Sequence, residues 1–263
     1  MSVVVSLGQM DVRLGKPDEN LTKVEEWTAE AARLGSQLVV FPELWPTGYD
    51  LENVASYATA LTEGMFARMA GLARQHRLGM YGSCLSVLGE GRYGNTAVLY
   101  GPEGRLLGSY TKVHLFRPMQ EDRYLVAGPE LTVAEAPWAK LGLSICYDLR
   151  FPEMFRAYAL AGAEAMLVCA EWPNPRLAHW QTLLAARAIE NQAFVVACNR
   201  VGESRRTSFF GHSCIVSPWG EVLADAGDAE RLLTAEIDLA EVEAARQRIP
   251  VFQDRRPDVY KLR

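Results

Sequence analysis

An apolar run, Leu141-Gly142-Leu143-Ser144-Ile145, leads directly into Cys146, and Pro152 follows six residues later at a position that suits the first turn of a helix. Cys146 therefore sits on a strand-to-helix turn, beyond the carboxyl end of its strand, where open α/β sheets present their ligands. Unpaired backbone N–H groups at such a turn favour a thiolate and any oxyanion formed beside it. Two further strands end in charge. Leu38-Val39-Val40-Phe41-Pro42 runs into Glu43, and Leu106-Leu107-Gly108-Ser109-Tyr110-Thr111 runs into Lys112. A thiol, a carboxylate and an ammonium are the parts of nucleophilic acyl chemistry: nucleophile, proton carrier and stabiliser of negative charge. Each has an ordinary reading as well. A free cysteine is commonly a small buried apolar residue, and a lone charge at a strand end is commonly solvated. Spacing alone leaves open whether the three meet.

The other cysteines, Cys84, Cys169, Cys198 and Cys214, bring the count to five, an odd number with no C-x-x-C pair. That pattern argues against a disulfide framework or a zinc site. The four histidines lack ligand spacing. With a net charge of −5, the 263-residue chain has no basic footprint for nucleic acid and no polybasic run for an anionic membrane. Its composition, 49% apolar and 22% charged, is that of a soluble globular protein. No stretch reaches the ~20 apolar residues of a membrane span, and the N-terminus lacks a signal-peptide pattern. The expectation is a cytosolic protein.

The elements that must position these residues follow from hydrophobic periodicity. Strands are predicted over Val3–Met10, Leu38–Phe41, Met80–Ser86, Thr96–Tyr100, Leu106–Lys112, Leu141–Cys146, Met166–Cys169, Phe194–Asn199, Cys214–Val216 and Leu232–Ile237. Helices are predicted over Pro17–Leu34, with Asp18 as a cap, and over Gly64–His76, Pro152–Ala161 and Trp180–Asn191. This alternation marks an α/β fold. The chain also repeats itself: residues 35–46 resemble 162–173, and the Pro/Gly hairpin at 100–107 resembles that at 216–223. Two halves, about 1–130 and 138–245, then share one design. Packed sheet on sheet with helices outside, they predict a four-layer αββα sandwich. No linker separates them, so residues 1–263 read as a single domain with a C-terminal arm from about Glu243.

Taken together, Phe41-Pro42-Glu43, Lys112-Val113-His114-Leu115-Phe116 and Cys146-Tyr147-Asp148-Leu149-Arg150-Phe151-Pro152-Glu153 resemble the three signature blocks of the nitrilase superfamily of carbon–nitrogen hydrolases. The resemblance extends through Arg187-Ala188-Ile189-Glu190-Asn191-Gln192, Gly211-His212-Ser213 and Ser217-Pro218-Trp219-Gly220, nearly the whole chain. It implies the duplicated αββα sandwich that the repeat suggests independently. It also implies roles: Cys146 as nucleophile, Glu43 as general base and Lys112 as cationic stabiliser. Glu121, seven residues before Gly128, resembles the family's second active-site glutamate.

The blocks look most like the ω-amidase and 2-oxoglutaramate amidase branch, which releases ammonia from the terminal amide of α-keto acid amides. An N-carbamoyl amide hydrolase and a catalytically silent binding protein on the same fold are the competing readings. The implied chemistry needs no metal or organic cofactor, and the chain offers no glycine-rich phosphate cradle. The backbone N–H of Tyr147 would join Lys112 in holding the oxyanion. An ω-amide carries a carboxylate, for which Arg117 and Arg176 are candidates because they lie just past the Lys112 and Cys169 strands. Glu171 and Trp172 hold the second-half place of Glu43 and Leu44, so both should face the same mouth. Trp172 would be an apolar wall, whereas an ionised Glu171 would oppose an anionic substrate. Arg187 and Glu190 are spaced as an i, i+3 ion pair. The tail from 249 to 260 has apolar residues but no core, and by resemblance it reaches a second subunit in a homodimer or larger homo-oligomer.

Overall fold

The computed structural model describes residues 1–260. In chain order it contains β1 (Ser2–Gln9), α1 (Pro17–Arg33), β2 (Leu38–Val40), α2 (Val54–Tyr57), α3 (Gly64–His76), β3 (Gly79–Gly89), β4 (Arg92–Tyr100) and β5 (Leu106–Thr111). A short α4 (Glu121–Tyr124) leads into β6 (Val133–Glu135), β7 (Lys140–Ile145), α5 (Pro152–Leu160), β8 (Ala165–Ala170), α6 (Leu177–Asn191) and β9 (Phe194–Asn199). The chain continues through β10 (Val201–Ser204), β11 (Thr207–Phe210), β12 (Cys214–Val216), β13 (Val222–Asp225), β14 (Arg231–Asp238) and α7 (Ala240–Arg248).

The repeat inferred from the sequence is present strand by strand. One sheet has the order β14-β1-β2-β3-β4-β5 and the other β13-β12-β9-β8-β7-β6. In the first, β1, β2 and β3 are parallel, and β4 and β5 return by antiparallel hairpins. In the second, β7, β8 and β9 are parallel, and β12 and β13 follow antiparallel. Each sheet has one antiparallel strand beyond its first: β14 on β1 and β6 on β7.

The sheets pack face to face, β1 over β9, β3 over β8 and β4 over β7. Strands covered on both faces read as unbroken apolar runs, which is why Ala165–Ala170 and Phe194–Asn199 are buried throughout. One core runs between the sheets, with Val5, Leu7 and Leu38 on one side and Leu143, Leu167 and Val196 on the other. Tyr81 of β3 stitches them: its hydroxyl donates to the Ser144 carbonyl at 2.9 Å and accepts from the Ser144 N–H at 3.1 Å. Outside the first sheet, Val24, Phe66 and Met69 of α1 and α3 pack on Phe41, Met80 and Val98. Phe155, Trp180 and Leu184 of α5 and α6 belong to the core that covers the second sheet.

Some elements differ from expectation. Asp18 is not a cap; it lies inside the first turn after Pro17 and makes no capping hydrogen bond. Its charge still complements the helix dipole. The hairpin β10–β11 carries two arginines at its tip and no apolar alternation, so periodicity did not find it. The segment expected as an arm from about Glu243 begins as helix α7, whose inward face is only Val242 and Ala245. The Gln192 amide donates to the carbonyls of Ala245 and Ile249, and Phe252 stacks beneath Arg156 and Arg246. The start of the arm thus docks on its own chain. Residues 261–263, the end of the expected domain, lie outside the described residues. Among the described residues no helix is long and apolar enough to cross a membrane.

Candidate active site

Glu43, Lys112, Glu121 and Cys146 come together at the carboxyl ends of the strands. Glu43 follows β2, Lys112 follows β5, Cys146 follows β7, and Glu121 opens α4. Lys112, Glu43 and Glu121 are fully buried. The Lys112 ammonium donates to Glu43 Oε1 at 2.7 Å and to Glu121 Oε1 at 2.6 Å. Asn95 of β4 donates its amide to the same Glu43 oxygen at 2.8 Å, and the backbone N–H of Glu171 donates to the other at 3.0 Å. The Tyr49 hydroxyl lies 2.9 Å from Glu43 Oε1 and 2.7 Å from Glu121 Oε1. Its single proton serves one carboxylate at a time, so Tyr49 couples the two.

The charges follow from this packing. Burial alone would lower the Lys112 pKa, but Glu121 and Glu43 outweigh it and hold the pKa well above the usual lysine value. The ammonium is therefore permanent at neutral pH. Burial is the largest influence on the Cys146 thiol, and Glu43 adds to it through its charge and a hydrogen bond; Lys112 pulls the other way. The net effect is well above the ordinary thiol value, so Cys146 keeps its proton until a base removes it.

Cys146 itself sits at φ +47°, a left-handed conformation that a non-glycine residue holds only under external constraint. Asp148 supplies much of the constraint. One of its carboxylate oxygens accepts from the Ile145 N–H at 2.9 Å and the Tyr110 hydroxyl at 2.8 Å. The other accepts from the His114 ring at 2.8 Å and the His114 N–H at 3.3 Å. His114 also stacks on Phe151, with ring centroids 3.6 Å apart. Arg187 forms the expected ion pair with Glu190 at 2.9 Å, and it donates two hydrogen bonds to the Leu149 carbonyl, clamping the far end of the nucleophile turn.

A pocket of about 240 Å³ opens onto Cys146. Phe116, Tyr147, Trp172 and Pro173 form its apolar walls, and Glu171, Arg150 and Arg176 bring charge to it. The expected Tyr147, Glu171, Trp172 and Arg176 are therefore at the mouth. Arg117 is not: it is exposed on the turn Arg117–Met119 and lies outside the pocket wall. The turn swings its side chain to solvent while the preceding Phe116 faces inward. Arg150 takes its place as the second cation, stacked over the Trp172 ring at 4.9 Å. Sequence reasoning also missed Tyr49, Asn95 and Asp148. Asp148 and Arg150 lay within the recognised block around Cys146; Tyr49 and Asn95 carried no local signal.

Comparison with known proteins places the chain in a family. Residues 4–247 match the carbon–nitrogen hydrolase family. The chain is 41% identical to the 2-oxoglutaramate amidase of Bacillus subtilis, over 99% of this chain and 100% of that protein. A carbon–nitrogen hydrolase from Helicobacter pylori superposes with a TM-score of 0.92 at 27% identity, covering 98% of this chain and 97% of that one. A glutamate-to-glutamine variant of the Nesterenkonia amidase, 30% identical with a TM-score of 0.87 and covering 98% and 95%, carries the acetamide moiety of fluoroacetamide on its active-site cysteine. With its duplicated sandwich and its buried glutamate–lysine cluster beside a strained cysteine, the chain belongs to the carbon–nitrogen hydrolase family of the nitrilase superfamily.

Proposed function

We propose that the protein is an ω-amidase: it hydrolyses the terminal amide of small, carboxylate-bearing amides such as 2-oxoglutaramate, through a thioester on Cys146. The observation that carries this reading is the fully buried Lys112 held between Glu43 and Glu121 beside a protonated thiol. The similarity to the 2-oxoglutaramate amidase supports the choice of substrate.

In this mechanism Glu43 takes the Cys146 proton as sulfur attacks the amide carbon. The Lys112 ammonium and the Tyr147 N–H stabilise the resulting oxyanion. Glu43 returns the proton to the amide nitrogen, the C–N bond breaks, and ammonia leaves. Glu43 then accepts a proton from water as that water attacks the thioester, releasing the acid and restoring the thiol. Glu121 fixes Lys112 and, through Tyr49, the orientation of Glu43. Trp172 walls the acyl chain, and Arg150 and Arg176 take the substrate carboxylate. The enzyme acts as one domain in the cytosol. The exposed Leu160, Ile189, Val259 and Tyr260 support its assembly as a homodimer.

The test is product analysis on 2-oxoglutaramate, 2-oxosuccinamate, glutaramate and an N-carbamoyl amino acid. Ammonia without carbon dioxide from the ω-amides is the expected result. Turnover of the carbamoyl compound alone, with carbon dioxide, would replace this reading.

A further inference from the structure

Glu171 is the one feature of the pocket that conflicts with an anionic substrate. Its backbone N–H holds the catalytic carboxylate of Glu43, and its side chain, 1% exposed, lines the same pocket as Cys146. One carboxyl oxygen, Oε2, lies 3.3 Å from Arg200 Nη1. The other, Oε1, is buried and has no hydrogen-bond partner among the described residues. Arg200 does not fully neutralise Glu171, because its guanidinium also faces Asp11 at 3.2 Å and donates to the Val12 carbonyl at 2.7 Å and the Ser204 hydroxyl at 2.9 Å. An ionised carboxylate whose buried oxygen no described group pairs is costly; a carboxyl group that carries its proton on that oxygen costs less and has a hydrogen bond to give to a substrate.

We propose that Glu171 is a positioning and specificity-determining residue that binds anionic amides in its protonated form, Oε1–H donating to an oxygen of the substrate's acyl chain. The proton removes the repulsion that the sequence implied and turns an opposing charge into a donor. The inference rests on the ω-amide reading above and names how the same pocket accepts the anion. The surrounding charges favour it. Burial is the largest influence and, with the Glu43 charge, pushes the Glu171 carboxyl up to about 7; Arg200 and Lys112 act against this. On the pocket side Cys146, Arg150 and Arg176 face it, and in a second cavity on its other side Tyr49 and Arg205 do. A bound substrate carboxylate adds negative charge and strengthens proton retention.

The experiment compares glutaramate with valeramide, in which a methyl group replaces the carboxylate, from pH 6 to 9. The ratio of their kcat/KM values cancels every titration common to both substrates. For the wild type the ratio should be level below about pH 7 and fall towards tenfold per pH unit above it. In Glu171→Gln, whose amide donates at every pH, the ratio should be independent of pH, with circular dichroism reporting that the variant is folded. A wild-type ratio that is flat or rises with pH, or the same fall in Glu171→Gln, overturns the inference. Valeramide turnover without any glutaramate turnover instead overturns the ω-amide reading, and the inference with it.

Discussion

Replacing Asp148 with asparagine tests how the nucleophile is held. The buried carboxylate accepts four hydrogen bonds, two at each oxygen. An asparagine keeps one acceptor oxygen and presents N–H donors where the other oxygen was. If the amide faces Ile145 and Tyr110, two buried donors lose their acceptor; if it faces His114, the His114 backbone N–H loses its acceptor while the ring can switch tautomer and accept from the amide. Each unsatisfied donor costs about 1–3 kcal/mol, so a loss of roughly 1–6 kcal/mol, for one donor or two, is expected in urea unfolding. The damage reaches Cys146, because the Ile145 N–H bond is what fixes the residue before a nucleophile held at φ +47°. Misplacement of a reacting atom by about 1 Å costs about 10²-fold, and kcat should fall by that order. Tyr110→Phe removes one of the four donors to Asp148 and also the acceptor of the Val113 N–H at 3.1 Å, so it should cost about 1–3 kcal/mol while leaving the Ile145 and His114 contacts in place. An Asp148→Asn protein within 1 kcal/mol of the wild type and within threefold of its kcat, both about the margin of such measurements, would refute the argument.

Three further outcomes follow from the same contacts. Lys112→Met should lower kcat by at least ~10²–10³, measured by steady-state ammonia release, because it removes a cationic donor and leaves Glu43 and Glu121 sharing a buried site without their cation. Arg150→Ala should raise KM for glutaramate about tenfold or more and leave KM for valeramide unaltered, measured by steady-state ammonia release. Glu171 also makes stability depend on pH. The folded chain holds that proton up to about pH 7, against an ordinary value of 4.5, so stability falls as pH rises between the two and is level above. The wild-type loss across that window should exceed that of Glu171→Gln by roughly 3 kcal/mol, read from urea midpoints at pH 5 and pH 8.

Most of the fold was legible because its strands are buried on both faces. Runs such as Ala165–Ala170 and Phe194–Asn199 announce themselves without any alternation, and the repeated Pro/Gly hairpins betray the duplication. What the sequence hid were elements with little apolar content: α7, with two inward residues, and the arginine-tipped β10–β11 hairpin. The site divides in the same way. Glu43, Lys112, Glu121 and Cys146 stand out as chemistry-bearing residues at strand ends or in recognised blocks. Tyr49 reaches Glu43 from the loop six residues on and Asn95 from a strand 52 residues on, and only the packed sandwich shows their partners. Arg117 was placed by proximity in sequence to Lys112, but the turn that begins at it decides the direction of its side chain. Glu171 lines the pocket beside Cys146, and its pairing with Arg200 was invisible because 29 residues separate them.

In the proposed mechanism Cys146 is the acylated residue. The most direct measurement is mass spectrometry of the intact protein and its Cys146 peptide after rapid acid quench with glutaramate, alongside ammonia release by Cys146→Ala. An acyl adduct confined to the Cys146 peptide, with ammonia release lost in Cys146→Ala, is the predicted result. Ammonia release that persists in Cys146→Ala, or an adduct on another residue, would contradict it.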